Sequence, residues 1–419
     1  MERNFVQIIE SLRKGIPPER GVDLYSVGND KLIEGIKKFH LSGIKERGII
    51  RFTSGSWGAG KTHFFRLLRE VVFQNECLVS TVQLNADDAA LNKFEKVFYS
   101  IVRNISTPES FSSDRTSEIA PFGQVLQESL AYLGTNKRLL SNHYSYTEYI
   151  KANEALMLER SIDIDFKKMV QKYWETFLPD APDVVLQQQN REEILQWFSG
   201  EGNVATYRRR FDVNKIVNKD NAKLMLQSLA GFVQLSGYKG LVILFDEAEQ
   251  AYSIMRKSSL RDAHNNLLSL INNIELLNGL FLIYATTPDF FTDPKHGIVI
   301  YGALAGRIGK PEPRKPRALD TIWNLDEVET GLADYQIAAR KICNIYASAY
   351  PEAGLELPSL EKVENFVEDL FDIHPALSGV RFWRILVTAL VTYFDDHLEG
   401  EIRTAETIYG DVMDRLREE

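Results

Sequence analysis

The stretch Gly55-Ser56-Trp57-Gly58-Ala59-Gly60-Lys61-Thr62 carries the clearest chemistry in the chain. Glycines at 55, 58 and 60 let successive backbone N–H groups turn inward as an anion-binding nest. Lys61 adds a mobile point charge for β- and γ-phosphates, and Thr62, followed by His63, offers a hydroxyl placed to ligate Mg²⁺. The spacing is that of a phosphate-binding P-loop, which holds a nucleoside triphosphate without shielding the phosphorus under attack. A second constellation follows the apolar run Gly240 to Phe245, where Asp246 and Glu247 stand side by side. Asp246 is suited to hold Mg²⁺ through its water shell, and Glu247 to orient and deprotonate the attacking water. Many strands end in acids; this pair gains its weight from the complete loop upstream.

Such groups must be held by a strand, a turn and a helix. Ile49, Ile50 and Phe52 predict a buried strand before the loop, and Phe64, Leu67 and Leu68 predict a helix after it, which is the setting a P-loop requires. Leu78 to Leu84 reads as a second strand and Phe94 to Val102 as a helix. Residues 106–218 carry helical stretches between turn clusters and no strand signal, which predicts a mostly helical insertion. The core resumes with a helix near 219–236, the strand ending at Asp246, and another apolar run from Gly279 to Pro288. A Pro-rich linker at 311–316 precedes an all-helical pattern that is expected to form a C-terminal lid. The N-terminus opens with a helical pattern over 2–15, broken at Gly15-Ile-Pro-Pro18, and a second one passes through Ile33, Ile36 and Phe39. The expected class is α/β: a P-loop three-layer core with a parallel sheet. Its parts are residues 1–105, the insertion 106–218, the second half of the core 219–318 and the lid 319–419.

Composition narrows the setting. The chain has 419 residues and a net charge of −9. Cys77 and Cys343 are too far apart in sequence for metal-ligand spacing or a disulfide framework, which suits a reducing cytoplasm. No apolar run approaches the roughly 18 residues of a membrane span, and Met1-Glu-Arg-Asn4 lacks a signal-peptide profile. A cytoplasmic location without a membrane partner is expected. Residues 321–419 hold 20 acidic and 8 basic residues, a net of −12 that leaves +3 for residues 1–320. The acidic tail is a poor surface for nucleic acid. Basic clusters at Arg208-Arg209-Arg210 and from Arg307 to Arg317 offer sequence-independent DNA binding, contact with a neighbouring subunit's nucleotide, or only a solvated face.

Comparison with AAA+ and related ATPases adds further candidates. Val27-Gly28, just ahead of the first core helix, stands where such proteins wrap the adenine, or is an ordinary turn. Thr286 or Thr287, with Thr287 preferred, occupies the sensor-1 position facing the γ-phosphate. Arg307 stands where an arginine finger reaches the next subunit, unless it is ion-paired. Of Arg381 and Arg384, Arg381 is the better sensor-2 candidate. With these residues in place the chain resembles the BREX-system ATP-binding family of phage-defence loci, close to AAA+ and origin-recognition ATPases. The resemblance rests on Gly15-Ile-Pro-Pro-Glu-Arg-Gly21 before Val27-Gly28, on Arg51-Phe52 leading into Gly55 to Phe64, on Leu67-Leu-Arg-Glu70, and on Phe245-Asp-Glu-Ala-Glu249. It implies ATP and Mg²⁺ as cofactors, ATP hydrolysis, and a role beside other proteins of a defence system with action on DNA. The motif set further points to a homo-oligomer hydrolysing ATP between subunits as a switch or motor. A nucleotide-gated scaffold with slow turnover that recruits an effector is the alternative.

Overall fold

Six strands form one sheet in the computed structural model, which describes residues 4–85, 90–112, 121–138, 140–141, 143–180, 184–247, 256–328, 330–351, 357–374 and 382–418. They are β1 (Ile49–Ser54), β2 (Leu78–Gln83), β3 (Ile105–Ser106), β4 (Leu241–Asp246), β5 (Leu280–Thr286) and β6 (Ile322–Asn324), in the order β3-β2-β4-β5-β1-β6. Every neighbouring pair is parallel except β3 with β2. Parallel strands need crossover helices, which cover both faces and leave the strands apolar throughout. β4 and β5 accordingly are buried at every position. The two strands absent from the sequence-based expectation, β3 and β6, have two and three residues, too few to display a period.

Three helices lie early in the chain: α1 (Phe5–Arg13), α2 (Asp30–Ile36) and α3 (Lys61–Gln74). On one face of the sheet, Ile49, Val79, Val242, Leu244, Phe281 and Ile283 pack with Leu32 and Ile36 of α2 and with Phe64, Leu68 and Val72 of α3. The alternate residues of the same strands, among them Phe52, Leu78, Ile243, Leu282 and Tyr284, point to the opposite face. There they join one continuous apolar core with the helices Phe94–Arg103, Ala222–Leu235 and Lys257–Asn273 and with those between residues 121 and 211. The helices between residues 121 and 211 thus share one continuous core with the layer covering the sheet. Buried Trp174 anchors them, its indole N–H donating to the Leu126 carbonyl at 2.7 Å, so its one polar atom is satisfied.

A second apolar core joins the two ends of the chain. Ile8, Ile9 and Leu12 of α1 pack among the helices Leu332–Ala349, Leu360–Ile373, Phe382–Leu398 and Ala405–Glu418. Arg13 clamps Asp395 with two hydrogen bonds of 3.0 and 2.8 Å, and the Tyr346 hydroxyl donates to the same carboxylate at 2.6 Å. The helix Ala405–Glu418 extends the bundle beyond the last helix read from the sequence, burying Ile408 and Val412. In the helix Leu332–Ala349, Ile337 faces solvent, and Tyr335, Ala338, Ala339 and Ile342 supply the inner face. Among the described residues no helix is long and apolar enough to cross a membrane.

Candidate functional site

Parallel strands bring their C-terminal ends to one edge, and the candidate residues collect there. β1 and β5 align Ser54 with Thr286, while β4 and β5 align Phe245 with Tyr284, so Asp246 comes level with Ala285 one step on. β5 therefore separates the strand that feeds the loop from the strand that ends in Asp246. Two strand spacings, about 10 Å, lie between them, with Thr286 and Thr287 in the gap.

The loop leaves β1 at Gly55 and enters α3 at Lys61. Gly58 and Gly60 have φ of 78° and 87°, the left-handed region that residues with a Cβ avoid. Gly60 stands at the N-cap with no side chain to bond the first turn, so the N–H groups that open α3 face outward with the positive end of the helix dipole. The Lys61 ammonium rests on the Gly55 carbonyl at 2.7 Å and lies 5.7 Å from the ring of Trp57, which is 71% exposed. Thr62 is exposed beside it. Across the loop, the Asp326 carboxylate accepts from Ser56 N at 2.9 Å and from Ser56 Oγ at 2.6 Å.

Asp246 is nearly buried, and burial lifts its carboxyl above the ordinary value, opposed by the N–H of Glu247 at 2.9 Å and by the charges of Lys61 and Arg66. A carboxylate held in that state gains from a cation. Glu247 has φ of 54°, a conformation uncommon for a residue with a side chain and a recurrent sign of a functional position. At the same edge Ser54 Oγ and Thr286 Oγ1 are buried without a hydrogen-bond partner among the described residues. Thr287, the preferred candidate, follows directly and is 6% exposed. Among the described residues no three His, Cys, Asp or Glu side chains form a metal cage. Mg²⁺ does not require one, since it keeps waters and phosphate oxygens as ligands.

Val27 and Gly28 lie near the start of α3. The ring of His63 stands between the Ser26 Oγ at 3.1 Å and the Tyr25 hydroxyl at 3.4 Å, and burial together with Arg66 pushes its pKa down to about 4. Gly28 lines a cleft of about 420 Å³ with Leu32, Phe39, Pro316 and Val328, rimmed by Lys31, Lys315 and Arg317. Gly28 is two residues from Ser26 and Val328 two from Asp326, so both walls adjoin direct contacts with the P-loop or α3. Arg307 is exposed near the end of the helix Gly302–Ile308, and no hydrogen bond or ion pair joins it to the P-loop. Arg381, like Ala248 and Glu249, lies outside the described residues. All three arginines of the basic triplet are exposed, and Arg210 is paired with Glu193.

A family model described as BREX system ATP-binding protein BrxC/D matches residues 1–416. The chain belongs to that family. No curated protein and no solved structure matches it. Membership brings an ATP-binding role in a phage-defence system and, with it, the other proteins of that system.

The block Gly15 to Gly21 lies against α3. Arg66 and Arg69 clasp Glu19 at 2.5 and 2.9 Å. Against the upward push of burial, Arg69 and Arg66 hold the Glu19 carboxyl below its usual value. Glu70 accepts from the N–H groups of Gly21 and Val22 at 2.8 and 3.0 Å. Sequence reasoning assigned no role to Asp326, Glu19 or Glu70. The Glu19 and Glu70 positions were visible only as parts of family blocks, and nothing local marks Asp326, whose partner is 270 residues away.

Proposed function

We propose that this family member is a Mg²⁺-dependent ATPase of AAA+ type, acting as a switch or motor with other proteins of its defence system on DNA. The observation that carries the reading is the meeting of three strand ends at one edge: the P-loop after β1, Thr286-Thr287 after β5 and Asp246-Glu247 after β4. In this reading the N–H groups of residues 58–63 and Lys61 bind the β- and γ-phosphates, and the cleft beside Gly28 receives the base. Thr62 and Asp246 would hold Mg²⁺, which when bound offsets the negative charge of the phosphates. Glu247 accepts the proton of the attacking water, and Thr287 orients that water against the γ-phosphate. Arg307, standing free of the site in its own chain, serves a neighbouring copy, which makes the active form an oligomer. Arg381 lowers a cation onto the nucleotide from the C-terminal helices, which act as the lid.

The test is ATP turnover against protein concentration, for wild type and Glu247→Gln, with and without double-stranded DNA. Turnover that rises cooperatively with concentration, responds to DNA and disappears in Glu247→Gln while ATP still binds is the expected result. Flat, very slow turnover despite tight ATP binding would reject the motor reading in favour of a nucleotide-gated scaffold.

A further inference from the structure

Residues 14–28 connect two bodies that share no sequence neighbourhood, the P-loop helix and the C-terminal bundle. One side of α3 presents His63, Arg66, Arg69 and Glu70, which lie along one stripe because they are three, six and seven residues apart. Each of the four grips the connecting segment. Arg66 donates to the Pro17 carbonyl, Arg69 to the Glu19 carbonyl and carboxylate, Glu70 accepts from Gly21 and Val22, and His63 meets Tyr25 and Ser26.

The same segment is fastened in the bundle. Its upstream end is α1, buried there through Ile8, Ile9 and Leu12 and clamped through Arg13 to Asp395. Gly15 lies against Arg384 and Thr388, close enough that a Cβ would come within 2.9 Å of the Thr388 hydroxyl. Tyr25 packs in the bundle core, and Lys341 donates to the Ser26 carbonyl at 2.9 Å. Ser26 is therefore held by α3 through its side chain and by the bundle through its carbonyl, one residue ahead of Val27-Gly28.

We infer that residues 14–28 form a strap that positions the base-contacting turn and couples nucleotide occupancy of the P-loop to docking of the C-terminal bundle. The inference rests on the nucleotide site proposed above. A triphosphate draws on the first turn of α3, the turn that carries His63, and any displacement of that stripe is passed to the strap by four side chains. Coupling of this kind is reciprocal: the factor by which nucleotide favours docking of the bundle is the factor by which the docked bundle favours nucleotide, so undocking the bundle end of the strap weakens nucleotide binding by up to that factor.

Hydrogen exchange of the full chain with and without ATP tests it, in wild type, Lys341→Met and Glu19→Gln. In wild type, ATP is expected to slow exchange over residues 55–70 and also in α1 and the helix Leu332–Ala349. In the variants the first effect should persist and the second should fall away, with ATP binding weaker by about fivefold or more. Wild-type protection confined to 55–70, or bundle protection unchanged in both variants, would overturn the strap. Absence of protection at 55–70 in wild type would instead reject the nucleotide site and remove the basis of the inference. Circular dichroism checks that each variant is folded; should Lys341→Met unfold, Glu19→Gln decides alone.

Discussion

Replacing Asp326 asks how much nucleotide affinity resides outside the P-loop motif. Its carboxylate makes two hydrogen bonds to Ser56, at 2.9 and 2.6 Å. Hydrogen bonds to a charged group contribute about 1.5–3 kcal/mol each when fully shielded. Ser56 and Asp326 are half-buried, so solvent takes back much of that and about 1–2 kcal/mol in total is a fair expectation. If this ordering is needed for the loop to accept a triphosphate, Asp326→Ala weakens ATP binding roughly 5- to 30-fold.

An opposing effect has similar size. A carboxylate about 8 Å from a phosphate, at an effective dielectric of about 40, repels it by about 1 kcal/mol per charge, so removing Asp326 also relieves repulsion. Asp326→Asn separates the two, because it removes the charge and keeps an acceptor for the Ser56 N–H. Where the tether dominates, Asn binds ATP between wild type and Ala; where repulsion dominates, both variants bind more tightly than wild type. Calorimetry measures this directly, and exposed Trp57 beside Lys61 offers a fluorescence readout. An Asp326→Ala protein that binds ATP as tightly as wild type, or more so, refutes the argument that Asp326 positions the loop.

Three further outcomes follow from single residues. Burial, reinforced by Asp23, pushes the Glu70 carboxyl up to about 8, so its stabilising contribution is full below pH 4.5 and is lost as pH rises through 8. Glu70→Gln keeps an acceptor for Gly21 and Val22 and should flatten this decline in urea midpoints between about pH 5 and 8.5; an unchanged slope would rule Glu70 out as its source. Gly21 has φ of 81°, and a Cβ there would stand 2.4 Å from Ile8 Cδ1, so Gly21→Ala should cost about 1–2 kcal/mol in denaturant titration and weaken ATP binding. A variant of wild-type stability would contradict the turn described. Glu247→Gly relieves a left-handed residue worth about 1–2 kcal/mol, against about 0.5–1 kcal/mol of glycine chain entropy and the loss of the side chain's own interaction, so its stability should change little while turnover is lost. Marked destabilisation would mean that the Glu247 side chain holds the loop together.

The features legible in the sequence are those written in short stretches. β1 with its loop and α3, the apolar strand ending at Asp246, and the strand reaching Thr286 each carry a local pattern, and each is found where that pattern lies. β6 was not legible, because Ile322–Asn324 gains its place only by pairing with Phe52 to Ser54. The Asp326 tether depends on that pairing and shared its invisibility. The joint core of α1 with the last four helices was equally hidden: an amphipathic stripe says that a face is buried, and not against what. The buried hydroxyl of Thr286, without a partner among the described residues, is likewise a property of the assembled edge, since two adjacent threonines at a strand end cannot be told apart by spacing.

This division has a physical consequence. The groups proposed to meet the phosphates come from contiguous residues, so their geometry is set largely by local turns and the start of one helix. The groups that hold those residues come from elsewhere: Asp326 from beyond β6, Glu19 and Ser26 from the N-terminal strap, and Lys341 from the bundle. A P-loop held only by its own strand and helix would bind a triphosphate with little effect on the rest of the chain. One whose helix is gripped along a full stripe by a segment anchored in a second core cannot change its first turn without loading that core. The response to nucleotide should therefore be altered most selectively at Glu19 and Lys341, residues that touch neither the phosphates nor the proposed attacking water.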